Sequence, residues 1–372
     1  MVTERLLLGP GPSNPYPEVL EALGRPVLGH LDPEFLALFD ETCERLRTVF
    51  RTTNRLTLPM SGTGSAGMET CFVNLVEPGD TVIVGVNGVF GERMCEVARR
   101  CGAEVVRVDE AWGKPLDPQR LLDAQAAHPG ARLVAVVHAE TSTGVRNDIE
   151  PLAALTATDT LLLVDTVTSL GGIPVEVDGW GIDACYSGTQ KCLGVPPGLA
   201  PVSFSDRAVE RISSRRIPPQ SWYLDLGLIA AYAGSERRYH HTVPISMIYA
   251  LHAGLGVLLD EGLEASWARH GDAGAALHEA LPRLGFSLVV DEEHRLPQLT
   301  TAWLPDGVEE APLRRRLLDE HGIEVGGGLG EFAGKVWRIG LMGHGARRSS
   351  VDRLAGALED EGVALGHPRP PS

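Results

Sequence analysis

Three short stretches of this chain combine residue types and spacing that could do chemistry. Leu161-Leu162-Leu163-Val164-Asp165 is an apolar, strand-like run that ends in a carboxylate. Taken alone, that aspartate reads as an N-cap for whatever follows. Ser187-Gly188-Thr189-Gln190-Lys191 places a primary amine after a second apolar run, and the turn-forming Gly194-Val195-Pro196-Pro197-Gly198 comes next. A lone lysine after a strand is ordinarily a solvated surface residue; the flanking hydroxyls and the Gly/Pro turn instead indicate a constrained loop. The third stretch, Ser61-Gly62-Thr63-Gly64-Ser65, lies between strand-like Leu56–Met60 and helix-like Ala66–Val76. Small residues at a strand-to-helix turn let backbone N–H groups, hydroxyls and the helix N-terminus converge on a phosphate. Extended to Gly67, the stretch also fits G-x-G-x-x-G. A nicotinamide-dependent oxidoreductase using that pattern needs an acid at the end of the next strand to hold a ribose. That strand ends Val84-Gly85-Val86-Asn87, without one. A purely structural turn is the remaining reading.

Side by side, the first two stretches make a pair that neither makes alone. In pyridoxal 5′-phosphate enzymes a lysine amine holds the cofactor as a Schiff base, and a carboxylate keeps the pyridine nitrogen protonated so that the ring is an electron sink. Lys191 and Asp165 suit these two roles, with the Ser61–Ser65 loop for the phosphate. Arg338 interrupts an apolar strand, Val336-Trp337-Arg338-Ile339-Gly340-Leu341, where an unpaired charge is costly. A planar guanidinium there can bind a carboxylate through two parallel hydrogen bonds; pairing with an internal acid is the alternative.

The ordered motifs LLLGPGPSN (Leu6 to Asn14), LLLVDTVTSLGG (Leu161 to Gly172), YSGTQKCL (Tyr186 to Leu193), SFSD (Ser203 to Asp206), YHHT (Tyr239 to Thr242) and RIGLMG (Arg338 to Gly343) together resemble the class V, fold-type I aminotransferases. Within them the sequence is similar to the alanine–glyoxylate / serine–pyruvate aminotransferase group, over nearly the whole chain. The resemblance implies Lys191 as Schiff-base lysine and Asp165 as pyridine-nitrogen partner. It implies Thr63, Gly64, Ser65 and Gln190 at the phosphate, Thr141 near the cofactor's phenolic oxygen and the substrate, and Arg338 on the substrate carboxylate. Tyr239 and Thr242 match residues that reach the phosphate of the neighbouring subunit, which implies a homodimer with shared active sites. Phe90 lies where mammalian members place a tryptophan that stacks on the ring; it keeps a π-face with less area and no N–H donor. Thr63 and Ser65 stand where those members have Ser and His. The implied activity moves the amino group of alanine or serine to glyoxylate or pyruvate with ping-pong kinetics. The near alternatives are ureidoglycine–glyoxylate transamination and cysteine desulfuration. The latter needs a mobile cysteine late in the chain, whereas the last one here is Cys192.

The elements that must position these residues follow a simple alternation. Strand-like runs at 82–86, 105–108, 133–138, 161–165, 184–187 and 201–204 are continuously apolar and interleaved with helix-like segments at 33–50, 67–76, 91–101, 118–127 and 151–157. That pattern predicts α/β architecture with a mainly parallel, mixed sheet covered on both faces, and a ligand at the strands' carboxyl ends. From about Ile245 long helices (245–259, 263–284) give way to strands at 286–290, 298–304 and 336–341 and helices at 311–321 and 350–361, a smaller C-terminal α+β domain. The expected division is an N-terminal arm (1–18), a large cofactor-binding domain (19–261) and a small domain (262–372), with a mobile Pro-rich tail at Pro368–Ser372. At 372 residues, 43% hydrophobic and 22% charged, the chain has material for two cores. Its net charge of −16, spread along the length, speaks against nucleic acid or an anionic membrane as partner. No apolar window reaches a membrane span, the N-terminus fits no signal or transit peptide, and six scattered cysteines read as free thiols. A cytoplasmic protein is the expectation. His240 and His241 are read as strand neighbours facing opposite sides, and so not as metal ligands.

Overall fold

The computed structural model describes residues 3–234 and 236–363; the Pro368–Ser372 tail lies outside them. Its larger sheet has seven strands in the order Leu56–Ser61, Leu199–Phe204, Ala184–Tyr186, Leu161–Asp165, Leu133–Val137, Thr81–Val86, Glu104–Asp109. Every neighbouring pair is parallel except those made by Leu199–Phe204, which runs antiparallel to both of its partners. The central strands Leu133–Val137 and Leu161–Asp165 are buried at every residue. That explains their unbroken hydrophobicity, since helices cover both faces of the sheet. Among these helices are Gly64–Leu75, Val89–Arg100 and Pro118–Ala127.

The helix after the glycine loop starts at Gly64, earlier than the expected Gly67. Gly64 and Ser65 are weak helix formers, but a Cβ at Gly64 or Gly67 would already sit 3.1 Å from Val167 or 3.0 Å from Tyr186, so close packing on the sheet imposes the turn. The segment expected as a helix at 151–157 is 3-10, Glu150–Ala157.

The second sheet has five strands in the order Leu6–Leu8, Ile323–Gly327, Val336–Gly340, Leu299–Trp303, Ser287–Leu288. Helices Leu263–Arg283, Glu310–Glu320 and Arg348–Asp360 pack with it around Phe286, Leu317, Trp337 and Ile339. Its outer strand, Leu6–Leu8, comes from the N-terminal arm and pairs in parallel with Ile323–Gly327. A small buried cluster of Ala139, Ile173, Cys192, Leu299 and Met342 ties the second sheet to the short strand Ala139–Glu140 and to the loops carrying Ile173 and Cys192. No helix among the described residues is long and apolar enough to cross a membrane.

Candidate active site

The carboxyl ends of the larger sheet's strands open on a cavity of about 190 Å³ lined by Thr63, Gly64, Ser65, Phe90, Thr141, Asp165, Gln190 and Lys191. Eight of the residues singled out in the sequence are thus brought to one place. Asp165 ends its strand directly beside Tyr186 of the neighbouring strand. The Tyr186 hydroxyl donates to Asp165 Oδ2 at 2.7 Å, and the Val167 N–H donates to Oδ1 at 2.8 Å. The aspartate therefore caps a turn, as its local reading required, while its carboxylate still faces the cavity. Burial pushes its pKa up to about 6, against the lowering effect of those two donors and of Lys191.

Lys191 is held in a constrained loop, as expected. The arm crosses over it: the Ser13 hydroxyl donates to the Lys191 carbonyl at 2.8 Å, and the Ser13 N–H donates to the Gln190 carbonyl at 2.9 Å. The Lys191 amine donates to the Pro10 carbonyl. Gly11 has φ 111°, and a Cβ there would lie 2.6 Å from Lys191 Nζ, so the arm can pass only as glycine. Lys191 is 9% exposed. Burial, and then the charge of Arg338, lower its pKa from 10.5 to about 8. At neutral pH a useful fraction of the amine is therefore unprotonated and nucleophilic. Reductive labelling with a small aldehyde, followed by peptide mass spectrometry from about pH 6 to about pH 11, should show Lys191 modification levelling off above a pKa near 8. In Arg338→Ala, with one cation removed, the profile should move to higher pH. A wild-type profile that keeps climbing like that of a surface lysine would refute the burial argument.

Arg338 is buried in its strand, yet it does not line the cavity itself. Its Nε donates to the Gly327 carbonyl at 2.8 Å and its Nη1 to the Thr141 carbonyl at 3.3 Å. Among the described residues it forms no ion pair with an internal acid, so the structural alternative is not realised. Burial lowers its pKa to about 10, which leaves it cationic at neutral pH.

The phosphate-type end of the cavity is formed by the N-terminus of helix Gly64–Leu75, whose Thr63 makes no side-chain cap. Thr63 and Ser65 are exposed there, and Gln190 Oε1 is buried with no hydrogen-bond partner among the described residues. Arg93 brings its guanidinium 4.8 Å from the Phe90 ring centroid and 3.5 Å from the Ser65 hydroxyl.

Tyr239 and Thr242 lie away from this chain's cavity. Tyr239 is 57% exposed, lies tilted against the His30 ring and approaches the Thr242 hydroxyl at 3.5 Å. The expectation for His240 and His241 is corrected. Their segment is not a strand, and the two rings meet, Nδ1 to Nδ1 at 2.7 Å, while His241 Nε2 lies 2.8 Å from the Ser61 hydroxyl. Without a pleat, neighbouring side chains need not alternate.

Three residues of the site carried no role in the sequence reading: Tyr186, Arg93 and Glu140. Tyr186 opens a quoted motif, whereas Glu140 adjoins Thr141 and Arg93 follows Phe90 by three residues. Only strand register and helix docking reveal what they touch.

The family profile described as Aminotransferase class-V matches residues 14–350. The alanine–glyoxylate aminotransferase of Rattus norvegicus is 42% identical over 371 residues, covering 98% of this chain and 89% of the relative. Among solved structures, an alanine–glyoxylate aminotransferase from Nostoc sp. superposes with TM-score 0.95 at 51% identity, covering 97% of this chain and 96% of that one. The ureidoglycine–glyoxylate aminotransferase of Bacillus subtilis superposes with TM-score 0.95 at 37% identity, covering 97% and 93%. The architecture is that of the fold-type I transferases, whose family implies pyridoxal phosphate as cofactor. Such a match over most of the length, on a chain whose amine and carboxylate share one cavity, means that the protein belongs to the class-V aminotransferases.

Proposed function

We propose that this protein is a pyridoxal 5′-phosphate-dependent transaminase that takes the amino group of alanine or serine and delivers it to glyoxylate or pyruvate. The observation that carries the reading is the convergence of Lys191, Asp165, Phe90 and an uncapped helix N-terminus on one cavity. The donor set suits the cofactor at each end: an amine of lowered pKa for a carbonyl, a buried carboxylate for a ring nitrogen, and free N–H and hydroxyl donors for a phosphate. When bound, the cofactor supplies the electron sink that lets a proton leave the donor's α-carbon.

The chain's own residues do the rest. Lys191 Nζ takes and returns that proton. Asp165 holds the proton on the ring nitrogen, and Tyr186 fixes Asp165. Thr63, Gly64, Ser65 and Gln190 bind the phosphate, Phe90 offers a face to the ring, and Thr141 lies between ring and substrate. Arg338 binds the substrate carboxylate; two of its nitrogens already hold carbonyls, and Nη2 makes no hydrogen bond among the described residues. The arm from Gly9 to Ser13 shields the amine from water. The functional unit we infer is a homodimer in which Tyr239 and Thr242 serve the neighbour's phosphate, a reading supported by their exposure beside exposed Trp222 and Tyr223. Six buried thiols fit the reducing cytoplasm.

Cysteine desulfuration finds no support. Cys192, the last cysteine, is buried, lies 3.3 Å from the Thr168 carbonyl and has its thiol pushed up to about 12, the opposite of a mobile nucleophile. The Bacillus subtilis relative keeps ureidoglycine as a rival donor.

The test is the visible spectrum of the purified protein with added pyridoxal phosphate, before and after borohydride, with mapping of the reduced adduct. A yellow band, a label on Lys191, bleaching by alanine or serine and recovery with glyoxylate are expected. Bleaching by ureidoglycine alone would transfer the assignment to that donor. The absence of any band would overturn the reading.

A further inference from the structure

Helix Val89–Arg100 delivers Phe90 to the cavity wall, yet its N-cap is Gly88, which has no side chain to satisfy the first N–H groups. Those groups are met from the short strand Ala139–Glu140 and the turn that follows it. The Glu140 carboxylate accepts from the Phe90 N–H at 3.1 Å and the Gly91 N–H at 3.4 Å, and the Ser142 hydroxyl accepts from the Val89 N–H at 2.9 Å. Glu140 Oε1 in turn accepts from the Ser142 hydroxyl at 2.6 Å and the Ser142 N–H at 3.0 Å. Four donors thus close on one fully buried carboxyl group, and among the described residues no ion pair holds it. The fit is tight enough that a Cβ at Gly88 would stand 2.4 Å from the Ser142 hydroxyl and 2.5 Å from Glu140 Cδ. Burial pushes the Glu140 pKa up to about 7; a buried carboxyl group at a helix N-terminus, with both oxygens met by N–H and O–H donors, fixes the first turn in both position and rotation.

We propose that Glu140 is a positioning residue for cofactor binding, acting by locking the helix turn that holds Phe90 on the cavity wall. The proposal rests on the transaminase reading above and extends it to a residue that does not line the cavity. Glutamine cannot replace the carboxylate. Its single oxygen can serve Phe90 and Gly91 or Ser142, but not both, and its NH₂ then confronts a donor.

Two measurements on Glu140→Gln test this. In cofactor-free protein, amide hydrogen exchange across residues 87–95 should accelerate about fivefold, the effect of losing one good cap, while other segments keep their rates. Pyridoxal phosphate affinity is then compared in wild type, Glu140→Gln, Phe90→Ala and the double variant. Glu140→Gln should weaken binding about fivefold when Phe90 is present and less than about twofold when it is absent, because residues acting through one another are not additive. Equal weakening in both backgrounds, or unchanged exchange, would sink the proposal. Should Glu140→Gln fail to fold, Ser142→Ala, which strips the Val89 N–H of its acceptor, must show the same non-additivity with Phe90→Ala. Wild-type protein that takes up no pyridoxal phosphate overturns the transaminase reading and the proposal with it, a result distinct from normal uptake that Glu140→Gln leaves unchanged.

Discussion

Lys191→Ala should be folded, still able to take up pyridoxal phosphate, and at least about 10⁴-fold slower in turnover, because one substitution removes both the covalent anchor and the general base. The structure makes the variant clean. Lys191 reaches the cavity from beneath the arm, its amine donates to the Pro10 carbonyl, and its loop is held through main-chain atoms by Ser13. Truncation therefore leaves the loop's own hydrogen bonds intact. The lost contact with Pro10 is offset in part by no longer burying an amine whose ionisation is already disfavoured there. Cofactor retention follows from groups that the substitution does not touch: Asp165, the helix N-terminus at Gly64, Ser65 and Gln190. Steady-state turnover, the melting temperature and borohydride labelling together form the check. A folded variant with more than a trace of activity, or one still labelled at some other lysine, would remove Lys191 from its role.

How far the sequence alone reached this site can be stated physically. Asp165, Lys191 and the Ser61–Ser65 loop were legible because each ends or follows a mainly apolar, strand-like run, and in a mainly parallel sheet such ends gather at one edge. Arg338 was legible as a charge in an apolar strand. Tyr186 was not, because its role depends on register: it stands beside Asp165 only because the two strands pair in parallel at that residue. Glu140 was hidden for a similar reason. Its partners lie 49 and 50 residues away on a helix whose docking no local pattern encodes. The strand Ile323–Gly327 escaped notice because it ends in two glycines, poor strand formers. The first of them is required: a Cβ at Gly326 would lie 2.4 Å from Pro10 of the arm. The reading of His240 and His241 failed because it assumed a pleat in a segment that has none.

Asp165→Asn should lower turnover by about 10²- to 10³-fold while weakening cofactor binding only about tenfold. The first figure is that for removing one preorganised electrostatic partner in a water-poor site; the second is that for losing a single charge-assisted hydrogen bond. The two effects differ because the carboxylate's charge matters most when electron density moves onto the ring, whereas an amide still fills the same space. Asparagine can keep the Val167 N–H contact through its oxygen, so a general loss of structure is not expected. The pH dependence separates charge from shape. Without cofactor, burial holds the Asp165 pKa near 6, so below that pH the carboxyl must lose its proton before it can pair with a protonated ring nitrogen. Wild-type affinity should therefore rise with pH up to about 6 and then level off, and that limb should vanish in Asp165→Asn. A cofactor analogue methylated on the ring nitrogen, and so permanently cationic, should restore part of the turnover lost in Asp165→Ala, where the shorter side chain leaves room. If that analogue gives no rescue and the acid limb persists in Asp165→Asn, the ring nitrogen must be served by another group, and the assignment of Asp165 is wrong.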